Sequence, residues 1–247
     1  MKSSAGKNCL APGSCESKVY DSGNSNNKLL SSFYGTISEK RVLDVGCGAG
    51  NLGEFLSQKN NECYGITISE KEVELAKKRM ADVIIGDIEK MTELPFPKGF
   101  FDVVIFSDVL EHLKDPAHAL QLVKPYLNAD ALLIASIPNV ANIEVRLKLL
   151  MGKFDYERKG ILDNTHLRFF THRTAKDLIV NAGYQIKEVE YTWNWTFPRV
   201  FQTLFSLCEW EIRNKMTHRW PGLFAFQFVI YAAYTKETLE IEQNAKS

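Results

Sequence analysis

The stretch Arg41-Val-Leu-Asp-Val-Gly-Cys-Gly-Ala-Gly50 decides the fold of this chain. Its first half is a short apolar run, typical of a buried strand. Glycines then recur at alternate positions, Gly46, Gly48 and Gly50, where they allow backbone angles closed to other residues and let a ligand approach the main chain. Residues 51–59 are predicted to form a helix. A strand, a glycine turn and a helix N-terminus together offer unpaired backbone N–H groups to a polar ligand.

Strands and helices are predicted to alternate after this turn. Further apolar runs predict strands at residues 62–68, 83–85, 101–106 and 131–137. Helix starts are predicted where Ser69 and Glu72 form a capping box and where Pro116 follows Asp115. Alternation at this spacing indicates βαβ units and an α/β, Rossmann-like, doubly wound sheet with helices on both faces.

The C-terminal half is predicted to complete the sheet. Residues 138–171 are less regular, and we interpret them as an insertion on the substrate side, above the carboxyl edge of the sheet. A helix is predicted from Thr171 to Ala182, followed by an outer strand at residues 184–192 and an aromatic strand at residues 223–234. These two strands would give a seven-stranded, mostly parallel sheet with one antiparallel strand near the C-terminus.

The domain organisation expected from composition is simple. Residues 1–27 are polar, with few apolar side chains, and are expected to form a flexible N-terminal arm. Residues 28–247 are expected to form a single domain. Residues 197–208 are predicted to form a helix with one amphipathic face. This face would belong to the core, or it would instead cover an aromatic substrate or form a homodimer interface.

Length, charge and cysteine use exclude several classes of protein. The chain has 247 residues and 45% hydrophobic content, enough for one sizeable core, and a formal net charge of zero gives no electrostatic case for binding nucleic acid. No apolar run approaches the ~20 residues that span a bilayer, and no secretory apolar region begins the chain, so a cytoplasmic location is expected. No cysteine pair or histidine cluster shows metal spacing along the chain, so reduced thiols and no metal site are expected.

The glycine turn fits two cofactor patterns. Gly48-Ala-Gly50-Asn-Leu-Gly53 matches the dinucleotide pattern G-x-G-x-x-G, which also expects an acid at the end of the second strand. The chain has Thr67 there instead. Residues 44–50 also match D-x-G-x-G-x-G, which resembles the first motif of class I S-adenosylmethionine (SAM) methyltransferases.

Two later stretches strengthen the second resemblance. Leu110-Glu-His-Leu113, after the fourth strand, is similar to a segment of class I SAM methyltransferases such as the ubiquinone-type O-methyltransferases. The stretch from Gly160 to Thr171 resembles one found in bacterial methyltransferases associated with polysaccharide and natural-product pathways. The resemblance covers residues 37–137 in general and extends to about residue 183 through the second motif.

The resemblance implies where SAM, whose demethylated product is S-adenosylhomocysteine, would bind. The methionine part would be lined by the first motif, at Asp44, Gly46, Cys47 and Gly48. The ribose would meet Thr67, which can make a hydrogen bond but cannot hold the diol with two carboxylate oxygens.

The resemblance also implies contacts for the rest of the cofactor. Asp87 would accept from the adenine amine and Ile88 would contribute backbone, although Asp87 could instead form a turn. Ser107, with Asp108, would approach the amino group and sulfur. Tyr20 would fold over the cofactor or remain an exposed tyrosine of the arm.

Histidines are the candidates for general base, because an alcohol or phenol nucleophile must lose its proton near neutral pH. His112 is the first, unless Glu111 and His112 only brace the loop. His166, oriented by Asp163, is the second, unless Asp163 only caps a turn. Arg168 would bind an anionic group of the substrate or remain a solvated charge.

The leading hypothesis is methyl transfer from SAM to a hydroxyl of a small molecule, such as a phenol, a sugar or a pathway intermediate. N-methylation is the closest alternative, because a neutral amine needs less base assistance. An NAD-dependent oxidoreductase and a SAM-binding protein without catalysis are the remaining alternatives.

Overall fold

The sheet has the predicted architecture. A computed structural model describes residues 33–193 and 209–234. Its strands are β1 (Arg41–Val45), β2 (Glu62–Thr67), β3 (Asp82–Ile85), β4 (Phe101–Ser107), β5 (Leu127–Pro138), β6 (Gln185–Thr192) and β7 (Gln227–Ala233). They lie in the order β3-β2-β1-β4-β5-β7-β6, with β7 antiparallel to both β5 and β6 and the other pairs parallel. The predicted seven-stranded, mostly parallel sheet is therefore confirmed.

Helices pack on both faces of this sheet. Their bounds are α1 (Asn51–Ser57), α2 (Val73–Ala76), α3 (Pro116–Val123), α4 (Ile143–Leu150), α5 (His172–Asn181), α6 (Glu209–Arg219) and α7 (Pro221–Phe224). Alternate residues of β4 enter two separate core clusters, Val103 and Ile105 with α1 and α2, and Val104 and Phe106 with α3 and α5. Because successive strand residues point to opposite faces, the sheet is doubly wound. Among the described helices, none is long and apolar enough to cross a bilayer.

The predicted helix starts had mixed outcomes. Asp115 caps α3 by accepting from the His118 N–H, with Pro116 as the first helical residue, as expected. The Ser69–Glu72 capping box is not formed, because the N–H groups of Glu72 and Val73 donate to the Ser69 carbonyl instead. These turn hydrogen bonds satisfy the donors that a side-chain cap would have served, and α2 begins only at Val73.

The irregular segment at residues 138–171 lies at the carboxyl edge of the sheet. Asn139, directly after β5, donates through its amide to the Ala225 carbonyl at 2.8 Å, just before β7. The backbone N–H groups of Leu167 and Arg168 both donate to the Glu111 carbonyl, at 2.8 and 2.9 Å. The segment is thereby attached to the ends of β4, β5 and β7. The aromatic strand predicted from residue 223 begins only at Gln227, because Pro221 starts the short helix α7.

Candidate active site

The glycine turn packs directly on the segment after β4. Gly46 has a φ of 78°, and a Cβ added there would lie 2.5 Å from Val109 Cγ2. The N–H groups of Gly46 and Cys47 both donate to the Ile66 carbonyl, at 2.8 and 3.0 Å. A Cβ added at Gly48 would meet only Glu72 Oε2, at 3.6 Å. The turn is thus closed against β2 and β4 at Gly46 and open at Gly48, where a ligand can reach the main chain.

Carboxyl groups surround this turn. Asp44, at 3% exposure, is buried, and burial raises its pKa to about 7. The pKa of the Cys47 thiol is raised to about 12, first by burial and then by the charges of Asp44 and Glu72. Two acids, Asp44 and Glu72, lie at this site, and the first N–H groups of the turn already donate to the Ile66 carbonyl. Such a site favours a cation over a pyrophosphate. This geometry fits the sulfonium and amino groups of SAM better than a dinucleotide.

The residues expected to hold ribose and adenine are engaged within their own turns. Thr67 is buried at 3% exposure, and its hydroxyl accepts from the Ser69 N–H at 3.1 Å. Asp87 accepts from the Glu89 N–H at 3.1 Å and pairs with Lys90 at 3.0 Å, and the hydrogen bond from Lys90 lowers its pKa despite partial burial. Asp87 therefore forms the turn that the sequence left open as its alternative role, and Ile88 is buried in the core.

Three residues that sequence reasoning missed lie at the same edge. Ile68 and Ile85, at the ends of β2 and β3, are 70% and 48% exposed. They offer the apolar surface that an adenine ring requires. The carboxylate of Glu72 lies beside the open glycine. Neither isoleucine gave a signal, because an apolar residue ending a strand looks buried in sequence.

A buried hydrogen-bond network surrounds the end of β4. The Tyr34 hydroxyl donates to Ser107 Oγ at 3.3 Å. Ser136 donates to Asp108 Oδ1 at 3.0 Å and accepts from the Asp108 N–H at 2.9 Å, and the Gln227 amide donates to the same carboxylate oxygen. Burial raises the pKa of Tyr34, so its hydroxyl keeps its proton. The predicted Ser107 thus lies in a network of residues from four separate segments, and Tyr34 is an aromatic that the sequence analysis did not single out.

A second cluster lies beside the segment that follows β4. It consists of Glu111, His112 and His166. Glu111 is 1% exposed, and neither carboxylate oxygen has a hydrogen-bond partner among the described residues. Its Oε1 lies 4.0 Å from His166 Nε2, and the two imidazole rings meet edge to face with centroids 4.7 Å apart. One ligand atom from each of the three side chains lies within 4.8 Å of the others. Burial, followed by the charge of Asp108, raises the pKa of Glu111 well above its usual value.

Backbone carbonyls fix the tautomers of both histidines. His112 Nδ1 lies 3.2 Å from the Thr165 carbonyl, and His166 Nδ1 lies 3.0 Å from the Ile161 carbonyl. A carbonyl can only accept, so each Nδ1 carries the proton and each Nε2 carries a lone pair in the neutral ring. Burial lowers the pKa of His166, which favours that neutral form.

The carboxylate of Asp163 is held within its own turn. Its Oδ1 accepts from both the N–H and the hydroxyl of Thr165, at 2.8 and 2.6 Å. Asp163 therefore caps the turn, the second of the two roles left open for it, and the His166 ring is held by the Ile161 carbonyl. Burial would raise the pKa of Asp163, but the two hydrogen bonds from Thr165 and the nearby imidazoles lower it overall. Arg168 donates to the Lys114 carbonyl, so its guanidinium helps to fasten the segment to the end of β4.

Some predictions fall elsewhere. Tyr20 and the helical face at residues 197–208 lie outside the described residues. His118 contacts the Met91 carbonyl, His172 contacts the Tyr191 hydroxyl, and His218 contacts the Asn214 carbonyl, all away from the cluster. No metal was expected from the spacing of ligands along the chain, whereas the fold brings together His166 and a pair of residues more than fifty positions earlier.

Comparisons with known proteins agree with this geometry. Residues 25–189, more than half of the chain, match the family model described as a methyltransferase domain. The ubiquinone biosynthesis O-methyltransferase of Nitrosomonas europaea is 34% identical over 99 residues, which cover 37% of this chain and 41% of that protein. The protein of the same name from Saccharophagus degradans is 34% identical over 172 residues, which cover 62% of this chain and 66% of that protein. Both alignments thus span less than two thirds of the relative.

The fold of this chain is also shared with solved structures of methyltransferases. A crystal structure from Thermotoga maritima, described as a SAM-dependent methyltransferase and possible histamine N-methyltransferase, superposes with a TM-score of 0.57. It is 19% identical and covers 83% of this chain and 86% of that chain, which shows a shared fold. Together with the family match, the sheet order and the acidic glycine turn, this places the chain plainly: it belongs to the class I SAM-dependent methyltransferase family.

Proposed function

We propose that this protein transfers a methyl group from SAM to a hydroxyl oxygen of a small molecule. The observation that carries the proposal is the position of His112, which follows closely on Val109, the residue packed against the glycine turn. A proton acceptor therefore lies beside the expected cofactor site. The ubiquinone biosynthesis and probable tocopherol O-methyltransferases among the relatives support oxygen as the methylated atom.

SAM, when bound, supplies a methyl group on a positively charged sulfur. Asp44 would hold the amino end of the cofactor. Glu72, whose Oε2 lies near Gly48, would bind with its two carboxylate oxygens the ribose diol that Thr67 cannot hold. Ile68 and Ile85 would flank the adenine. In this arrangement Asp87 stabilises the turn that presents Ile88.

The chain's own contribution to the reaction is positioning and proton removal. His112 Nε2 would accept the proton of the acceptor hydroxyl, because its Nδ1–H is committed to Thr165. The methyl carbon would pass from sulfur to this oxygen, and the electron pair of the broken carbon–sulfur bond would stay on the sulfur as a neutral thioether. His166 is the second candidate for the same role.

Calorimetric titration of SAM, S-adenosylhomocysteine and NAD tests the cofactor part. We expect the first two to bind, Glu72→Ala to weaken them by about tenfold through lost ribose hydrogen bonds, and Glu70→Ala, a neighbouring exposed acid, to leave them unchanged. Binding of NAD alone would refute the proposal.

A panel of phenols, sugars and amines then tests the acceptor. Transfer from SAM to hydroxyl compounds, reduced about 10²–10⁴-fold in His112→Ala with cofactor affinity retained, is the expected outcome. Transfer to amines only would establish the N-methyltransferase alternative. Cofactor binding without transfer to any acceptor would favour a non-catalytic SAM-binding protein.

A further inference from the structure

Glu111, His112 and His166 form a cluster in which every side chain offers an electron pair, and we call it the donor cluster. Both Nδ1–H groups donate to backbone carbonyls, so the Nε2 lone pairs of both imidazoles remain available. The Glu111 carboxylate is buried, and neither of its oxygens has a hydrogen-bond partner among the described residues. General-base chemistry needs one imidazole, so the composition of the cluster exceeds what proton removal requires.

The charges around Glu111 favour a positively charged ligand. Its pKa is raised well above the usual value, first by burial and then by the negative charges of Asp108 and Asp163. A buried carboxylate without a partner is costly, and a cation beside it would remove that cost. The same negative charges disfavour an anionic group. Arg168, which would have suited an anion, donates instead to the Lys114 carbonyl.

The spacing of the donor cluster fits an ammonium group. An ammonium nitrogen donates three hydrogen bonds of about 2.7–2.9 Å in tetrahedral directions, which places its acceptors about 4.4–4.7 Å apart. In the donor cluster, one electron-pair atom of each side chain lies within 4.8 Å of the others, and Glu111 Oε1 lies 4.0 Å from His166 Nε2. An ammonium group therefore fits among these atoms without contraction of the cluster.

We propose that the donor cluster binds the protonated amine of an acceptor whose methylated hydroxyl lies close to that amine, as in an amino sugar or an aminomethyl phenol. This inference rests on the proposed function and narrows its substrate class. The ammonium would donate to Glu111 and to His166 Nε2, and the neighbouring hydroxyl would donate to His112 Nε2. The centroids of the two imidazole rings are 4.7 Å apart, so the amine and the hydroxyl must lie within a few bonds of each other.

The bound ammonium would direct the methyl group to oxygen. A protonated amine has no lone pair, so it cannot attack the methyl carbon. Its protons would stay in place, and only the hydroxyl proton would pass to His112 Nε2. The nearby positive charge would also lower the pKa of the hydroxyl, which favours that proton transfer.

Aromatic side chains beside the donor cluster offer a surface for the rest of the acceptor. The rings of His166 and Phe169 meet edge to face with centroids 6.3 Å apart, and Phe154 and Tyr156 lie 5.9 and 6.5 Å from Phe169. Phe154 and Tyr156 are exposed, and both imidazoles of the cluster are half-buried, so the cluster can be reached from solvent. Aromatic faces bind apolar surface and attract cations, which favours an amine carried on an organic ring.

Two matched pairs of compounds test the charge without turnover. Salicylamine, an aminomethyl phenol, is compared with salicyl alcohol, and glucosamine with glucose, because each pair exchanges an amine for a hydroxyl. Calorimetry gives Kd for protein saturated with S-adenosylhomocysteine, with and without a chelator. We expect the amine of at least one pair to bind at least about tenfold more tightly than its partner. Equal Kd values within both pairs, or no binding of either amine, would overturn the inference. A Kd weakened by the chelator would assign the cluster to a metal ion and also overturn it.

Glu111→Gln removes the charge and keeps the shape of the side chain. It should weaken binding of the amine at least about tenfold and change binding of the matched hydroxyl compound by less than about twofold. Glu157→Gln is the control and should retain the preference, because Glu157 is an exposed acid of the same irregular segment as His166 and pairs with Lys148 at 2.7 Å. A full preference for the amine in Glu111→Gln would contradict the role of this carboxylate. If circular dichroism shows that Glu111→Gln does not fold, His166→Leu, which removes another acceptor of the ammonium, should weaken the same binding.

Turnover separates this inference from the proposed function. With SAM, we expect the amine compounds to give O-methyl ethers, identified by NMR, with KM raised in Glu111→Gln and kcat less affected. N-methylated products would overturn the placement of the ammonium. Equal use of both members of each pair by the wild type would refute this inference and leave O-methylation standing. Failure of the proposed function would instead appear as absent binding of S-adenosylhomocysteine, or as no transfer to any hydroxyl compound.

Discussion

Gly46 shows how one missing side chain shapes the cofactor edge. Its φ of 78° lies in the left-handed region, and its missing Cβ leaves the space that Val109 Cγ2 occupies. This contact sets the distance between the glycine turn and the segment that carries Glu111 and His112. A substitution here would therefore strain both backbone and packing.

Gly46→Ala should lower the free energy of unfolding by about 2–5 kcal/mol, since the left-handed angle costs about 1–2 kcal/mol and overpacking adds about 1–3 kcal/mol. Urea unfolding measures the change. Gly99→Ala is the matched control, because Gly99 has a φ of 67° but nothing within 4 Å of an added Cβ. In the Gly46→Ala/Val109→Ala double variant, the smaller side chain at position 109 should recover the part of the stability loss that comes from overpacking. Equal losses at the two glycines would contradict the close contact.

Asp44 should make stability depend on pH. Its pKa is about 7 in the folded chain because of burial, against about 4 when unfolded, so the folded state binds more protons between these values. The free energy of unfolding contributed by this group therefore falls as pH rises from 4 to 7. Asp44→Asn, which cannot ionise, should be more stable than the wild type by about 2–4 kcal/mol at pH 8 and similar to it at pH 4.

Urea denaturation of both proteins at several pH values measures the difference. The same Asp44→Asn variant should bind S-adenosylhomocysteine more weakly at pH 8, because it lacks the charge that would meet the amino group. A stability difference that does not change with pH would show that Asp44 is not the titrating group.

At the scale of elements, α5 follows directly on the segment that carries His166. Thr171 is the N-cap: its hydroxyl accepts from the Thr174 N–H at 3.3 Å, and the Thr174 hydroxyl accepts from the Thr171 N–H at 2.9 Å. This reciprocal pair fixes where the loop ends and the helix begins. Ala175 and Ile179 then anchor the helix to the core, both with no exposed surface.

Thr171→Ala should lower the free energy of unfolding by about 1 kcal/mol, the usual cost of losing an N-cap. Thermal denaturation followed by circular dichroism measures it. Arg173→Ala, on the exposed side of the same helix with only a 4.0 Å ion pair to Asp177, should change stability by less than about 0.5 kcal/mol. A loss in Arg173→Ala as large as in Thr171→Ala would argue against the cap.

Across the whole molecule, the C-terminal strands are joined to the end of β5 through buried asparagines. Asn139 has no exposed surface. Its side-chain amide donates to the Ala225 carbonyl at 2.8 Å, and its side-chain Oδ1 accepts from the Ala141 N–H at 3.0 Å. Asn142 donates to the same Ala225 carbonyl at 2.9 Å. These bonds fix the irregular segment relative to β7.

Asn139→Ala should lower the free energy of unfolding by about 1–3 kcal/mol, because it removes the hydrogen bonds to Ala225 and Ala141 at a position with no exposed surface. Chemical denaturation measures the change. Asn164→Ala, at an exposed position of the same segment, serves as control and should be near neutral. Asn139→Asp keeps the acceptor but loses the amide donor, so a variant as stable as the wild type would show that the bond to Ala225 is not needed.

The sequence by itself determined the sheet, most helix starts and the glycine turn, because apolar runs, Pro116 after Asp115 and alternating glycines act through local conformation. It also placed His112 and His166 among the candidates. It left two roles open for Asp163, and the structure shows that the Thr165 donors hold its carboxylate.

Tertiary structure alone decided the rest. The turn at Ser69 uses backbone bonds, so Glu72 is released from a cap to face the glycine turn. Parallel strands separated by helices meet at one edge, which exposes Ile68 and Ile85 and brings His166 to Glu111. Burial and mutual approach of such groups follow from long-range packing, which residue type and spacing do not encode. The cofactor family was therefore accessible from sequence, and the composition of the donor cluster was not.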